Sequence, residues 1–168
     1  MSPTHNRFFN DAAGNHSSAV LQTMGPLLAV NVHQPKALVQ LLSSSGQPVA
    51  SPVGGLALID TGATNTCVDG AVLQKLGMAP IGVLTSLTAA GPAPQSMYPV
   101  RLEFPSEGLD LEFSSVAGVN LTGQSVPVVP PGGQQGQQMP IIALVGRDVL
   151  SRCVLIYNGT GGFFTLSF

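Results

Sequence analysis

Short apolar runs separated by glycine and proline are the feature that most restricts how this chain can fold. Residues 27–32, 56–59 and 141–145 are such runs, while residues 98–104 and 109–113 alternate between apolar and polar side chains. Alternation with a period of two is typical of strands buried on one face. The chain has 20 Gly and 14 Pro among 168 residues, enough for many turns. The pattern predicts an all-β fold in one domain.

Further elements follow from local signals. Residues 37–42 read as a strand separated from the first strand by Gln34-Pro35, and residues 82–88 read as another strand. Residues 71–76 have helical spacing, and Asp69 lies where an N-cap would.

Near the C-terminus, residues 149–152 can hold a short helix. Residues 154–157 and 163–168 flank Asn-Gly-Thr-Gly-Gly, which is a strong hairpin signal.

Two segments look irregular. Residues 1–23 are polar and predict a flexible N-terminal arm, which leaves residues 24–168 as the folded domain. Removal of this arm as a pro-segment stays open. Residues 130–138 are rich in Pro, Gly and Gln, and we interpret them as an exposed loop.

Charge and composition exclude several classes of partner. Only 8% of residues are charged, the formal net charge is -2, and the six basic residues are scattered, so no stripe exists to bind nucleic acid. No apolar run approaches the roughly 20 residues that a membrane helix needs. The first twenty residues lack the apolar core of a signal peptide. We therefore expect a soluble cytoplasmic protein with no nucleic-acid or membrane partner.

The histidines and cysteines offer weak alternatives for a site. His5, His16 and His33 lack metal-ligand spacing, so we expect no metal and no cofactor. Cys67 and Cys153 form no CxxC pair, and the sequence leaves open whether they bond to each other. Two small buried thiols are the favoured interpretation.

A single aspartate stands at the end of the apolar run 56–59. Asp60 is followed by Thr61, Gly62 and Ala63. The strand would fix the carboxylate, Gly62 permits close backbone approach, and the Thr61 hydroxyl can bond neighbouring backbone. Small Ala63 leaves space beside the reacting group. Two explanations stay open: a catalytic carboxyl group, or a turn in which Asp60 caps local N–H groups.

Hydrolysis by carboxyl groups needs two of them, close enough to share one proton, because like charges at that distance cannot both ionise. The deprotonated carboxyl activates a water, and the protonated one donates to the substrate carbonyl. The chain has one Asp-Thr-Gly and no internal repeat. A catalytic Asp60 therefore predicts a homodimer, in which a two-fold axis brings together the Asp60 of each subunit.

Two separated motifs resemble the signatures of the retropepsin family, the retroviral and retroviral-like aspartic peptidases. In that family, two hydrophobic residues precede Asp-Thr/Ser-Gly-Ala. Further along, two hydrophobic residues precede Gly, often followed by Arg and Asp or Asn, at the start of a short helix. The chain carries both in this order, as Leu58-Ile59-Asp60-Thr61-Gly62-Ala63 and Leu144-Val145-Gly146-Arg147-Asp148-Val149-Leu150.

The resemblance covers about residues 27–168. It implies a closed acid-protease barrel with one or two short helices, assembled as a homodimer that cleaves peptides or proteins as an aspartic endopeptidase. Asp60 would be catalytic, and Thr61 would form a hydrogen-bonded grip between subunits. Gly62 would accept contacts from the substrate backbone.

In such enzymes a glycine-rich hairpin flap closes over the substrate. Residues 88–94 are the best match, and an ordinary connecting turn is the competing interpretation. The flap residues would be Ala89, Ala90, Gly91 and Pro92.

The chain departs from the viral pattern at two places. Viral members often have an acidic residue directly after Asp-Thr-Gly-Ala that pairs with the Arg of the second motif. Here Thr64 stands in that place, so Arg147 needs another partner, either a backbone carbonyl or Asp148. The C-terminal hairpin is closer to the DNA-damage-inducible and bacterial type. A catalytically silent module that uses the same barrel for dimerisation or peptide binding is the remaining alternative.

Overall fold

The structure is a computed structural model that describes residues 4–88, 91–128 and 137–168. Its elements, in chain order, are β1 Thr4–Phe8, α1 Ser18–Met24, β2 Leu27–His33, α2 Lys36–Ser44, β3 Val53–Ile59, β4 Cys67–Asp69, α3 Gly70–Lys75, β5 Gly82–Thr88, β6 Gly91–Phe104, β7 Leu109–Val119, β8 Ser125–Val128, β9 Gln137–Val145, α4 Arg147–Leu150, β10 Val154–Asn158 and β11 Phe163–Ser167.

Six strands close into a barrel. Their order is β2-β3-β9-β4-β7-β6, and β6 pairs back onto β2. The closing seam is short, with Asn31 opposite Glu103, Val32 opposite Leu102 and His33 opposite Arg101. The predicted closed barrel is confirmed, within a fold that is mainly β.

The barrel core follows from the period-two pattern. Val100, Leu102 and Phe104 on β6 are buried, as are Val30 and Val32 on β2. In a closed barrel, alternate residues of each strand face the interior, so the apolar set of each strand meets the others there. This core fixes the register in which β3 and β9 run side by side.

Two strands extend from the barrel. β8 pairs with β9, and β5 pairs with β6 as a hairpin. The predicted strand at 82–88 is therefore confirmed. Of the predicted loop 130–138, residues 130–136 lie outside the described part of the chain, and residues 137–138 begin β9.

The predicted flexible arm is ordered from Thr4 onward, so the prediction of a loose segment was wrong there. β1 pairs antiparallel with β11, and β10 covers the other edge of β11. α1 begins after Ser17, whose side chain accepts a hydrogen bond from the Val20 amide, and it buries Leu21 completely. The polar composition gave no sign of this order, because the segment is attached to the domain by one fully buried leucine and by backbone hydrogen bonds between strands.

Residues 37–42 form helix α2 instead of the predicted strand. A short apolar run fits either structure by pattern alone. Pro35 precedes the helix and is compatible with a helix start. Gln34 is buried, its amide donates to the Leu76 carbonyl, and its carbonyl accepts from the Ala50 amide. These contacts turn the chain away from the barrel before α2.

The described residues hold four short helices, where one or two were predicted. Helix α3 confirms the prediction for residues 71–76, and its N-cap is Asp69, whose carboxylate accepts from the Ala71 amide at 2.8 Å. Helix α4 and the β10–β11 hairpin are also confirmed.

Candidate functional site

The Asp60 loop begins where two parallel strands end together. Ile59 lies opposite Val145 in the β3–β9 pair. The Asp60 amide then donates to the Val145 carbonyl at 3.0 Å. Because both strands are held in the core, the point at which Asp60 leaves the sheet is fixed by packing.

The Asp60 carboxylate is half-buried and held by its own loop. Its Oδ1 accepts hydrogen bonds from the amides of Gly62, at 2.8 Å, and Ala63, at 3.2 Å. A side chain at Gly62 would place its Cβ 3.0 Å from Oδ1, so glycine keeps this contact free of crowding. The Oδ2 atom accepts no hydrogen bond from the part of the chain that the structure describes. One oxygen therefore positions the group, and the other is available.

The second motif lies directly against this loop. The Arg147 amide donates to the Ala63 carbonyl at 3.0 Å, and the Asp148 amide donates to the Thr64 carbonyl at 3.1 Å. The structure thus brings together two motifs that are far apart in sequence.

The Arg147 guanidinium spans the loop from outside. It donates to the carbonyls of Thr61, at 2.8 Å, and Gly62, at 3.2 Å, and to the Thr64 hydroxyl at 2.9 Å. The prediction of a backbone carbonyl partner is confirmed. The prediction of Asp148 as partner was wrong, because that carboxylate is engaged elsewhere. Two carbonyls and a hydroxyl do what an acidic residue at position 64 would otherwise do.

Thr66 is a site residue that sequence reasoning missed. It is fully buried, and its hydroxyl donates to Asp148 at 2.8 Å while accepting from the Gly146 amide at 3.1 Å. The sequence signal is faint, because Thr66 is only the last of three polar residues, 64–66, before the buried strand β4. Its importance is visible only once Gly146 and Asp148 are beside it.

Gly146 lies against the backbone of the first motif's loop. A Cβ at this position would meet the carbonyl carbon of Asn65 at 2.5 Å and the amide of Thr66 at 2.8 Å. Backbone atoms cannot move aside as a side-chain end can. The glycine of the second motif is therefore required by close packing of one loop on the other.

Cys67 lies beside the site but is not a reactive thiol. Burial is the largest cause that raises its pKa to about 11; the nearby carboxylates of Asp60 and Asp148 act in the same direction, against a hydrogen bond with the Leu144 backbone that lowers the pKa. A nucleophilic cysteine needs the opposite, a lowered pKa. Cys67 and Cys153 are both free; Cys67 is buried as predicted, whereas Cys153 is only half-buried.

The residues predicted to form a flap lie partly in the β5–β6 hairpin. Gly91 and Pro92 begin β6, opposite Thr88 and Leu87, whereas Ala89 and Ala90 lie outside the described residues. Its β5 strand pairs only with β6 in the described chain. Successive side chains of a strand point to opposite faces. Val83 is 70% exposed and Leu84 is 49% exposed, so both faces of the hairpin present apolar surface.

The remaining polar candidates have structural contacts. His5 stacks on Phe168, His16 contacts Phe8, and His33 bonds to Glu103. Among residues 4–88, 91–128 and 137–168, no group of three His, Cys, Asp or Glu is placed to hold a metal ion. Within the same ranges, none of the helices has the length and apolar character needed to cross a membrane.

Among known proteins, this chain finds its similarity in solved structures. No protein-family model matches the chain, and no curated protein matches it. Among solved structures, the chain is similar to a retropepsin-like aspartic protease from Rickettsia conorii, with a TM-score of 0.45 and 12% sequence identity over 100% of this chain and 94% of that chain.

Proposed function

We propose that the chain is an aspartic endopeptidase that works as a homodimer, with one Asp60 from each subunit. The observation that carries the proposal is the Asp60 carboxylate itself. Two loop amides hold its Oδ1, and its Oδ2 is left without a partner in the described residues. A carboxylate used only to cap a turn needs no second chain segment to support it, yet residues 145–148 brace this loop at several points.

The chemistry follows from placing two such carboxyl groups together. Paired carboxyls share one proton, because two negative charges at close range repel. The ionised member takes a proton from water, which then attacks the peptide carbonyl carbon. The protonated member donates to the carbonyl oxygen, and a proton later reaches the leaving amine. The two groups titrate as one unit.

The substrate would lie extended between the β5–β6 hairpin and the Asp60 loops. An extended peptide can add to exposed strand edges through its backbone, with selectivity from pockets for alternate side chains. The exposed Val83 and Leu84 favour apolar side chains in that peptide. We propose a peptide or protein substrate with apolar residues around the cleaved bond.

Digestion of a peptide library with wild type and Asp60→Asn tests this proposal. The Asn variant keeps an oxygen for the loop amides but cannot share a proton, so cleavage should fall by at least about a thousandfold while the fold stays intact. Asp11→Asn is the matched control. Asp11 also caps local amides, those of Ala13 and Asn15, each at 2.9 Å.

Equal cleavage by wild type and Asp60→Asn would reject the proposed mechanism. Wild type that binds peptides but does not cut them would favour the catalytically silent module.

A further inference from the structure

The three-stranded sheet β1-β11-β10 has two outer edges, and among the described residues neither β1 nor β10 pairs with a further strand. β11 lies in the middle and is paired on both sides within the chain, so it has no free edge to offer another subunit. β10 pairs only with β11 in the part of the chain that the structure describes. The outward backbone groups of β10 are therefore free to pair.

β10 leaves apolar side chains exposed on both faces, although Leu155 packs against the core. Val154 is 61% exposed and Ile156 is 54% exposed on one face. Tyr157 points to the other face, beside the buried Phe164, and is still 49% exposed. If the rest of the protein covered this edge strand, its apolar side chains would be buried on at least one face.

Edge strands usually carry protection against pairing, such as lysine, proline or an inward charge. β10 reads Val-Leu-Ile-Tyr-Asn and has none of these. The opposite edge of the sheet is different: β1 reads Thr-His-Asn-Arg-Phe, and its Arg7 forms an ion pair with the buried Glu107. Of the two edges, only that of β10 is both apolar and uncharged.

We propose that β10 pairs antiparallel with β10 of a second copy, which joins two three-stranded sheets into one six-stranded sheet. This rests on the proposed function, since a single Asp60 is half of a site. Full overlap of two five-residue strands puts Ile156 opposite itself and Val154 opposite Asn158 of the second copy. A two-fold axis requires this self-complementary arrangement, and no like charges meet in it.

The edge is also connected to the candidate site. Helix α4, whose Arg147 holds the Asp60 loop, ends at Leu150, and β10 begins at Val154. An interface formed by β10 would therefore fix the orientation of α4 and of the loop it braces. The termini of the two chains would not interleave in this dimer, because β1 already occupies the outer edge of β11.

Sedimentation velocity over a range of concentrations tests the pairing. Wild type should dimerise, and Ile156→Lys should raise the dimer dissociation constant by at least about a hundredfold, since two lysines would face each other. Thr4→Lys is the matched control, with the same charge added to the opposite edge of the same sheet. Circular dichroism verifies that each variant is folded.

A gentler variant guards against misfolding. Ile156→Cys in a Cys153→Ser background should form a disulfide-linked dimer on oxidation, because paired strand residues lie at Cα separations that a disulfide spans. A wild-type monomer, an Ile156→Lys dimer as tight as wild type, or no cross-link would each overturn the pairing.

The interface and the proposed chemistry can fail separately. If Ile156→Lys becomes monomeric but wild type cleaves no peptide, the interface stands and the peptidase proposal falls. If wild type cleaves and Asp60→Asn does not, while Ile156→Lys stays dimeric, the chemistry stands and the interface lies elsewhere.

Discussion

Asp148 binds Thr66 through both of its carboxylate oxygens. The Thr66 amide donates to Oδ1 at 2.9 Å and to Oδ2 at 3.0 Å, and the Thr66 hydroxyl donates to Oδ1 at 2.8 Å. The two residues are 82 positions apart in sequence. Their contact fastens the second motif to the segment that follows the Asp60 loop, so the geometry of the candidate site depends on it.

Asp148→Ala should therefore destabilise the fold. It leaves the buried Thr66 hydroxyl and amide without their acceptor, and we expect the free energy of unfolding to fall by about 1.5–3 kcal/mol. Urea denaturation measures the change. Asp110→Ala is the control, since its exposed ion pair with Lys36 should contribute only about 0–1 kcal/mol. Equal losses for the two variants would contradict the role given to Asp148.

Gly146→Ala should destabilise the fold more than the same substitution at a glycine in an open position. The new Cβ would lie 2.5 Å from the Asn65 carbonyl carbon, so one loop must move away from the other. We expect a loss of at least about 2 kcal/mol by thermal or urea unfolding. Gly82→Ala is the matched control, because nothing lies within 4 Å of its added Cβ. A variant as stable as Gly82→Ala would show that the loops are not packed as described.

Acid should weaken the seam that closes the barrel. Hydrogen bonds from Asn31 and then His33 hold the pKa of Glu103 below its usual 4.5. Because the folded-state pKa is the lower one, the unfolded chain takes up the proton first. Stability is therefore full above about pH 4.5 and falls as the pH drops through the folded-state pKa.

Urea unfolding of wild type and Glu103→Gln at a series of acidic pH values measures this effect. The Gln variant should lose less stability than wild type over the same interval. Asn31→Ala keeps the charge but removes the largest cause of the lowered pKa, so its loss of stability should be smaller than that of wild type and should level off at a higher pH. If both variants lose stability at acidic pH just as wild type does, Glu103 is not the group whose protonation weakens the seam.

Cys67 should resist alkylation in the folded protein. With a pKa of about 11 instead of 9.0, its thiolate fraction at pH 8 is about a hundredfold smaller, and the thiol is buried as well. Mass spectrometry after timed iodoacetamide treatment should show Cys153 modified first. Both should react together in denaturant. Fast labelling of Cys67 in the native protein would show that the loop beside it opens readily.

Local sequence patterns correctly predicted the elements whose start or turn is set by one or a few residues. Asp69 caps α3, and the Asn-Gly-Thr-Gly-Gly segment joins β10 to β11, as expected from turn and cap chemistry. The pattern failed at residues 37–42, where a short apolar run fits a strand or a helix equally well. In the structure the segment is a helix, and the buried Gln34 just before it forms hydrogen bonds with Leu76 and Ala50, which are distant in sequence.

The prediction of a flexible N-terminal arm was wrong for a related reason. Its polar residues carry little hydrophobic signal, yet Leu21 is fully buried and Thr4–Phe8 completes a sheet with the C-terminal strand. Backbone pairing between the two ends of a chain has no local signature, so a composition argument cannot detect it.

For the candidate site, the sequence determined which residues are present. These are an aspartate at a strand end, a glycine two positions after it, and a separate Gly-Arg-Asp motif far downstream. Their chemistry and order were enough to suggest a paired-carboxylate mechanism. Only the tertiary structure decided how they act on one another. It gave Arg147 two carbonyls and a hydroxyl in place of an acidic partner, and it assigned Asp148 to Thr66. Hydrogen-bond partners depend on distances between segments that the barrel core brings together, and no property of the separate segments specifies those distances.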